Sequence, residues 1–223
     1  MNDAIGQVLG VGVGVALSPI PIVAVVLILA TPRARSNGPA FLLGWIAGLA
    51  IVGAIVLLVS GGADATGDDG PATWVGVLKL VLGALLLALA VKQWHGRPRG
   101  DEAPPLPKWM QTIDAFQPPK ALAMGALLSG VNPKNLLLTV AAATAIAQTG
   151  VGGGRQAIAL AIFVVVGSLG VGAPVVLYFA LGERSQELLD ELKAWMIAHN
   201  AAIMAAILLV LGAKLIGDGL AGL

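Results

Sequence analysis

"LSPIPIVAVVLILATPRARSNGPAFLLGW", Leu17 to Trp45, is mostly as apolar as a lipid tail, yet it opens with two prolines two residues apart, Pro19 and Pro21. Proline lacks an amide hydrogen and its ring clashes with the preceding turn, so it interrupts a helix. A second interruption, "LLSGVNPKNLLL" (Leu127 to Leu138), divides another apolar run and adds a lysine. Backbone freed in this way survives in a bilayer only where it faces protein or a wet cavity. The two breaks therefore decide how the rest of the chain is read.

Of the 223 residues, 57% are hydrophobic and 11% are charged, and the mean hydropathy is +0.90. A soluble domain carries about 25% charged residues, and this chain cannot supply such a surface. The composition predicts an integral membrane protein. With no cysteine, disulfides, thiol relays and Cys-based metal sites are excluded. The first basic residue is Arg33, so the amino-terminal stretch lacks the basic region of a cleaved signal peptide and reads as a retained helix.

A hydrocarbon core of about 30 Å needs about 20 apolar residues per helix. Six stretches qualify: 4–30, 38–60, 72–94, 119–148, 155–181 and 194–219. They are too long and too continuously apolar for barrel strands, which alternate over about ten residues. The fold class expected is an all-α integral membrane protein with six transmembrane helices. Connections 1, 3 and 5 carry nine Lys or Arg, including Arg33, Arg35, Lys120 and Arg184, whereas connection 4 has only Arg155 and connection 2 has none. The positive-inside rule then places connections 1, 3 and 5 in the cytoplasm and both termini outside.

Traces of an internal duplication are present. "LVLGA" occurs at Leu80–Ala84 and again at Leu209–Ala213, and "LS" precedes both breaks, at Leu17-Ser18 and Leu128-Ser129. The expected organisation is two inverted three-helix repeats, 1–94 and 119–223, with helices 1 and 4 broken at the midplane. Corresponding breaks in inverted halves are the best sequence pointer to a transport site. Residues 95–118 form a cytoplasmic linker. Its Pro-rich part, "RPRGDEAPPLP", is followed by "PKWMQTIDAFQPP", in which Trp109, Ile113 and Phe116 share a helical face. That pattern predicts a short interfacial helix.

The candidate substrate-binding residues are Ser18, Pro19, Pro21, Ser129, Asn132, Pro133 and Lys134. Lys134 sits near the bilayer centre, where a cation is costly and usually functional. Lys79, Lys214 and Asp218 fall toward the outer span ends, and Lys214 and Asp218 are spaced to pair. Half-helix amino termini would add positive dipole ends beside Lys134. Together they favour an anion: a carboxylate, phosphate or sulfate. No acid lies between Asp3 and Asp64 or between Asp114 and Glu183, which argues against a cation site built from carboxylates. His95 and His199 have no metal-ligand spacing, Ser18 and Ser129 lack a base partner, and no phosphate loop or dinucleotide fingerprint occurs. No catalytic residue, metal, cofactor or nucleic-acid partner is expected.

The run "ALSPIPIVAVVLILATPRARSNGPAFLLGWIAGL" resembles the amino-terminal signature of the GAP (Sap) family within the LysE transporter superfamily, and "NPKN" is similar to that superfamily's Asn-Pro-Lys motif. The resemblance covers all six spans. It implies export or surface delivery of cell-envelope glycolipids from a bacterial cytoplasmic (inner) membrane. On it, Pro19 and Pro21 match the proline element of the first helix, and Asn132, Pro133 and Lys134 match the second motif. The expected activity is that of a secondary transporter or flippase for an anionic or amphipathic envelope lipid. Arg33 and Arg35 would gather head groups at the cytoplasmic mouth. Two alternatives stand beside it: a small-solute exporter of the amino acid type, and a non-transporting scaffold for an envelope-lipid export machine. Expected partners are a membrane lipid or glycolipid and other export components. Spans 2 and 5 (Gly44, Gly48, Gly53; Gly167, Gly170, Gly172) can pack closely within a protomer or across a homodimer.

Overall fold

The computed structural model describes residues 2–63, 73–96 and 108–221, so the aspartates of connection 2 and the Pro-rich stretch of the linker lie outside the described residues. The described residues contain helices and no strands. In chain order these are α1 (Asn2–Ala16), α2 (Pro19–Leu29), α3 (Ala34–Ala63), α4 (Thr73–His95), a 3₁₀ helix (Lys108–Ala115), α5 (Pro118–Gly130), α6 (Pro133–Gln148), α7 (Gly153–Leu181), a 3₁₀ turn (Gly182–Arg184) and α8 (Ser185–Leu220).

Four helices are long and apolar enough to cross a bilayer: α3 over Ala34–Ser60, α4 over Gly76–His95, α7 and α8. At most 39% of any of their apolar windows is buried inside the molecule. The remainder, such as Leu58, Val59, Val176 and Val210, points outward. Such apolar exteriors suit lipid as solvent, and the protein is a multi-pass helical membrane protein. The expected first span is two helices, α1 and α2, meeting at 49°. The expected fourth span is α5 and α6, of 13 and 16 residues; neither reaches the length needed to cross alone. Helix α8 begins at Ser185 rather than near residue 194 and has 36 residues. At 1.5 Å per residue it is about 54 Å long, so its polar first turns extend past a hydrocarbon core.

Local chemistry sets these boundaries. Pro19, Pro118 and Pro133 each stand in the first turn of a helix, where a missing N–H costs nothing and the fixed φ is already helical. Asn132 caps α6, its side-chain oxygen accepting from the Lys134 amide at 3.1 Å, the usual service of an N-cap.

Glycines bring backbones together in three places. Helix α5 lies parallel to α3: a Cβ at Gly44 would strike the Leu122 carbonyl, and one at Gly125 the Phe41 carbonyl. Helix α7 lies parallel to α1, and a Cβ at Gly170 would strike the Ala16 carbonyl oxygen. Helix α4 runs antiparallel to α8, where Gly83 and Gly212 face one another. A Cβ on Gly83 would come 2.9 Å from Gly212 O, and one on Gly212 would come 3.0 Å from Gly83 O. These two glycines are the fourth residues of the duplicated "LVLGA" segments. The close packing of Gly44, Gly48, Gly53, Gly167 and Gly170 is thus within the chain.

The 3₁₀ helix is tucked into the protein rather than laid flat on the surface. Met110, Ile113 and Phe116 are buried in the core, while Trp109 is half-buried. In a 3₁₀ helix residues three apart eclipse, so the buried stripe runs 110, 113, 116 and Trp109 moves off it. Arg33 Nη1 and Asn37 Nδ2 both donate to Phe116 O, at 3.3 and 3.0 Å. Connection 1, the end of the linker and the α7–α8 turn therefore meet at one end of the bundle.

Candidate functional site

The i→i−4 ladder assigns each carbonyl near the end of α1 a donor four residues on. For Val15 that donor would be Pro19 and for Leu17 it would be Pro21, and neither has an N–H. Two side chains replace them. Ser18 Oγ lies 2.6 Å from Val15 O. Lys134 Nζ, from the first turn of α6, donates to Gly14 O at 2.7 Å, to Ser18 Oγ at 2.7 Å and more weakly to Leu17 O at 3.4 Å. An ammonium has three donors, and three acceptors surround this one. The spacing of the two prolines is thereby accounted for: each removes a ladder donor, and the gap is filled from Ser18 or from across the fold.

The Lys134 side chain is 3% exposed. All three of its acceptors are neutral, and two are carbonyls at the negative end of the α1 dipole. Asn135, the next residue, joins the two breaks. Its Oδ1 lies 3.0 Å from Ser18 Oγ, so the serine proton is shared between Asn135 and Val15 O. Its Nδ2 donates to Leu128 O at 3.0 Å, because the Asn132 amide has turned aside to Leu127 O. Thr139 Oγ1 in turn donates to Asn135 O at 2.8 Å. One turn of α6 thus secures the carboxyl ends of both α1 and α5.

An apolar pocket of about 270 Å³ adjoins this centre. It lies between α1 and α8 and is lined by Gly14, Leu17, Ala206 and Val210 among others. Among the described residues no three His, Cys, Asp or Glu side chains form a group able to hold a metal ion.

A family model described as Sap, sulfolipid-1-addressing protein, matches residues 8–221. The chain belongs to the Sap family. No curated protein and no solved structure matches it. The Sap match spans both breaks, α1 from Val8 onward and every later helix named above. The family description ties its members to a sulfolipid, which suggests a role in envelope-lipid export or addressing.

The candidate residues of this Sap-family chain separate in space. Ser18 and Lys134 meet. Pro19 and Pro21 are buried beside them on α2 and act through the donors they lack. Asn132 contributes its cap, and Pro133 is exposed. Ser129 is elsewhere: its hydroxyl donates to Ala126 O at 3.1 Å and it packs on Gly48 of α3. Arg33 holds Phe116, while Arg35 lines a different pocket with Tyr178 and Gln186. Asn135 was not among the expected residues, although it stands in the quoted "NPKN"; its position one residue past Lys134 at a helix start was the available signal. At the other end, Lys214 and Asp218 pair at 2.6 Å, as their spacing predicts.

Proposed function

We propose that this Sap-family protein is a secondary transporter or flippase that carries an anionic or amphipathic cell-envelope lipid from the inner to the outer leaflet. The observation that carries the reading is Lys134: a buried amine whose hydrogen-bond acceptors are all neutral. A sulfate, phosphate or carboxylate that enters supplies the counter-charge that the neutral carbonyls lack. Head-group binding then exchanges with the contacts that hold α1 to α6, and the exchange gives a route to alternating access.

In this reading α1 with α2 and α5 with α6 are two interrupted spans, and the chain is two inverted three-helix halves. Exchanging the halves maps the α1–α7 packing onto the α5–α3 packing and maps the α4–α8 pair onto itself, with Gly83 and Gly212 trading places. Both termini then lie outside the cytoplasmic membrane, and the Arg33–Phe116 end faces the cytoplasm. The apolar pocket beside Gly14 and Leu17 favours a lipid over a soluble amino acid, since acyl chains can stay in the bilayer while only the head group crosses at Lys134.

The test is lipid translocation in proteoliposomes, wild type beside Lys134→Gln and Lys134→Ala. Loss of translocation in both, with folding retained, is expected. Uptake of a soluble amino acid without translocation of any envelope lipid overturns the lipid reading. Intact lipid delivery in cells carrying Lys134→Ala points instead to a scaffold.

A further inference from the structure

At the end of the bundle that carries Arg33 and Phe116, a pocket of about 500 Å³ is lined by Arg35 from the start of α3, Tyr178, Phe179 and Gly182 from the end of α7, and Gln186 from the first turn of α8. Its chemistry differs from that of the apolar pockets. The Arg35 guanidinium, the Tyr178 hydroxyl and the Gln186 amide make no hydrogen bond or ion pair within the described residues. Arg33, two residues earlier, is already engaged with Phe116 O, so Arg35 is the arginine of connection 1 left facing the pocket. The ends of α7 and α8 present opposite partial charges there, and Arg35 adds a full positive charge to the lining. None of the described residues lining the pocket is acidic.

Unused donors around a full positive charge suit an oxyanion, and a planar guanidinium matches sulfate or phosphate geometry in a bidentate fashion. The pocket size is within the range of about 300–1,000 Å³ that holds a small ligand. On its rim Phe179 is exposed, and Val176, three residues earlier on α7, is exposed beside it. A molecule whose anionic group meets Arg35 can therefore lay its hydrocarbon along α7. We infer that this pocket is an entry site for the sulfate- or phosphate-bearing head group of a lipid in the leaflet at this end, separate from Lys134. The inference rests on the transport reading above and names where the passenger first docks.

The experiment measures lipid retained by the purified full chain, by native mass spectrometry, with phosphatidylglycerol and with a sulfated glycolipid as probes and phosphatidylcholine as the uncharged reference. Arg35→Gln is expected to lower retention of both anionic lipids about tenfold, and Tyr178→Phe about threefold, on the scale of single charge-assisted and neutral hydrogen bonds. Arg155→Gln, at the other end of α7, should retain them as wild type does. A parallel arm adds inorganic sulfate or phosphate alone and reads thermal unfolding. Stabilisation by the free ion equal to that by the lipids overturns the lipid assignment. Wild-type retention in both Arg35→Gln and Tyr178→Phe overturns the site. If Arg35→Gln aggregates, Tyr178→Phe and Gln186→Leu decide. Failure here is distinguishable from failure of the transport reading: translocation that persists in Arg35→Gln removes this site alone, whereas binding at Arg35 without translocation removes transport alone.

Discussion

Lys134 Nζ lies 2.7 Å from the carbonyl oxygen of Gly14, across 120 residues of chain. A cation placed at the carboxyl end of a helix is favoured by the dipole. Here it also replaces donors that a proline-interrupted segment cannot provide. The same side chain thus has a structural reason to be present beside the functional one proposed for it.

Replacing Lys134 by methionine keeps most of the side-chain volume and removes every donor. Two carbonyls and the Ser18 hydroxyl then lose a partner, at about 1–3 kcal/mol for each buried group left unsatisfied. Because the buried amine's desolvation cost is relieved at the same time, Lys134→Met should lower stability by a net of about 2–4 kcal/mol. Chemical denaturation in detergent measures it, and an unchanged midpoint would remove the capping role.

Ser18→Ala should cost about 1–3 kcal/mol, because Val15 O has no amide donor at position 19. Adding Pro19→Ala restores that N–H, so the double variant should recover part of the loss. The two changes are adjacent and must couple. A double variant less stable than Ser18→Ala alone would show that Val15 O was never the reason for the serine.

Gly44→Ala and Gly125→Ala should each prevent α3 and α5 from closing, since the added methyl meets backbone that cannot move aside. Gly217→Ala on α8, with nothing within 4 Å of its Cβ, should be neutral or stabilising by up to about 1 kcal/mol. Gel-filtration profiles and unfolding curves of the three variants read this difference directly.

Phe116→Ala should cost about 3–5 kcal/mol, the usual range for emptying a buried aromatic site. It also removes the ring beneath Lys120 Nζ, 4.5 Å away. Limited proteolysis should then cut near the 3₁₀ helix at least several-fold faster than in wild type. An unaltered cleavage rate would mean that this segment is held by Met110 and Ile113 alone.

Much of the architecture was readable in advance because a bilayer imposes length and polarity rules that act locally. The all-helical class, four of the six expected spans, the helix starts at Pro19 and Pro133 and the Lys214–Asp218 pair all follow from residues close in sequence. The linker helix was foreseen, but its buried stripe was not. A shift from α to 3₁₀ geometry changes the period from 3.6 to 3.0 and moves the inward positions to 110, 113 and 116. The start of α8 was misplaced by nine residues because its first turns are polar and helical at once, and hydropathy detects only the apolar part.

By itself the sequence determined where N–H donors are missing, since that is a property of proline wherever it stands, although new helices begin at Pro19 and Pro133 while Pro39 and Pro174 are carried inside α3 and α7. It also determined that one lysine would lie deep among apolar residues. Only the tertiary structure decided what repairs those gaps. Ser18 and Ser129 look equivalent in the chain, yet one joins Lys134 and Asn135 while the other packs on Gly48. Arg33 and Arg35 look equally free, yet one is bound to Phe116 O and the other is left facing a pocket. The reason is that hydrogen-bond partners for an unpaired carbonyl or guanidinium are set by distance, and distances across more than a hundred residues exist only after the helices have packed.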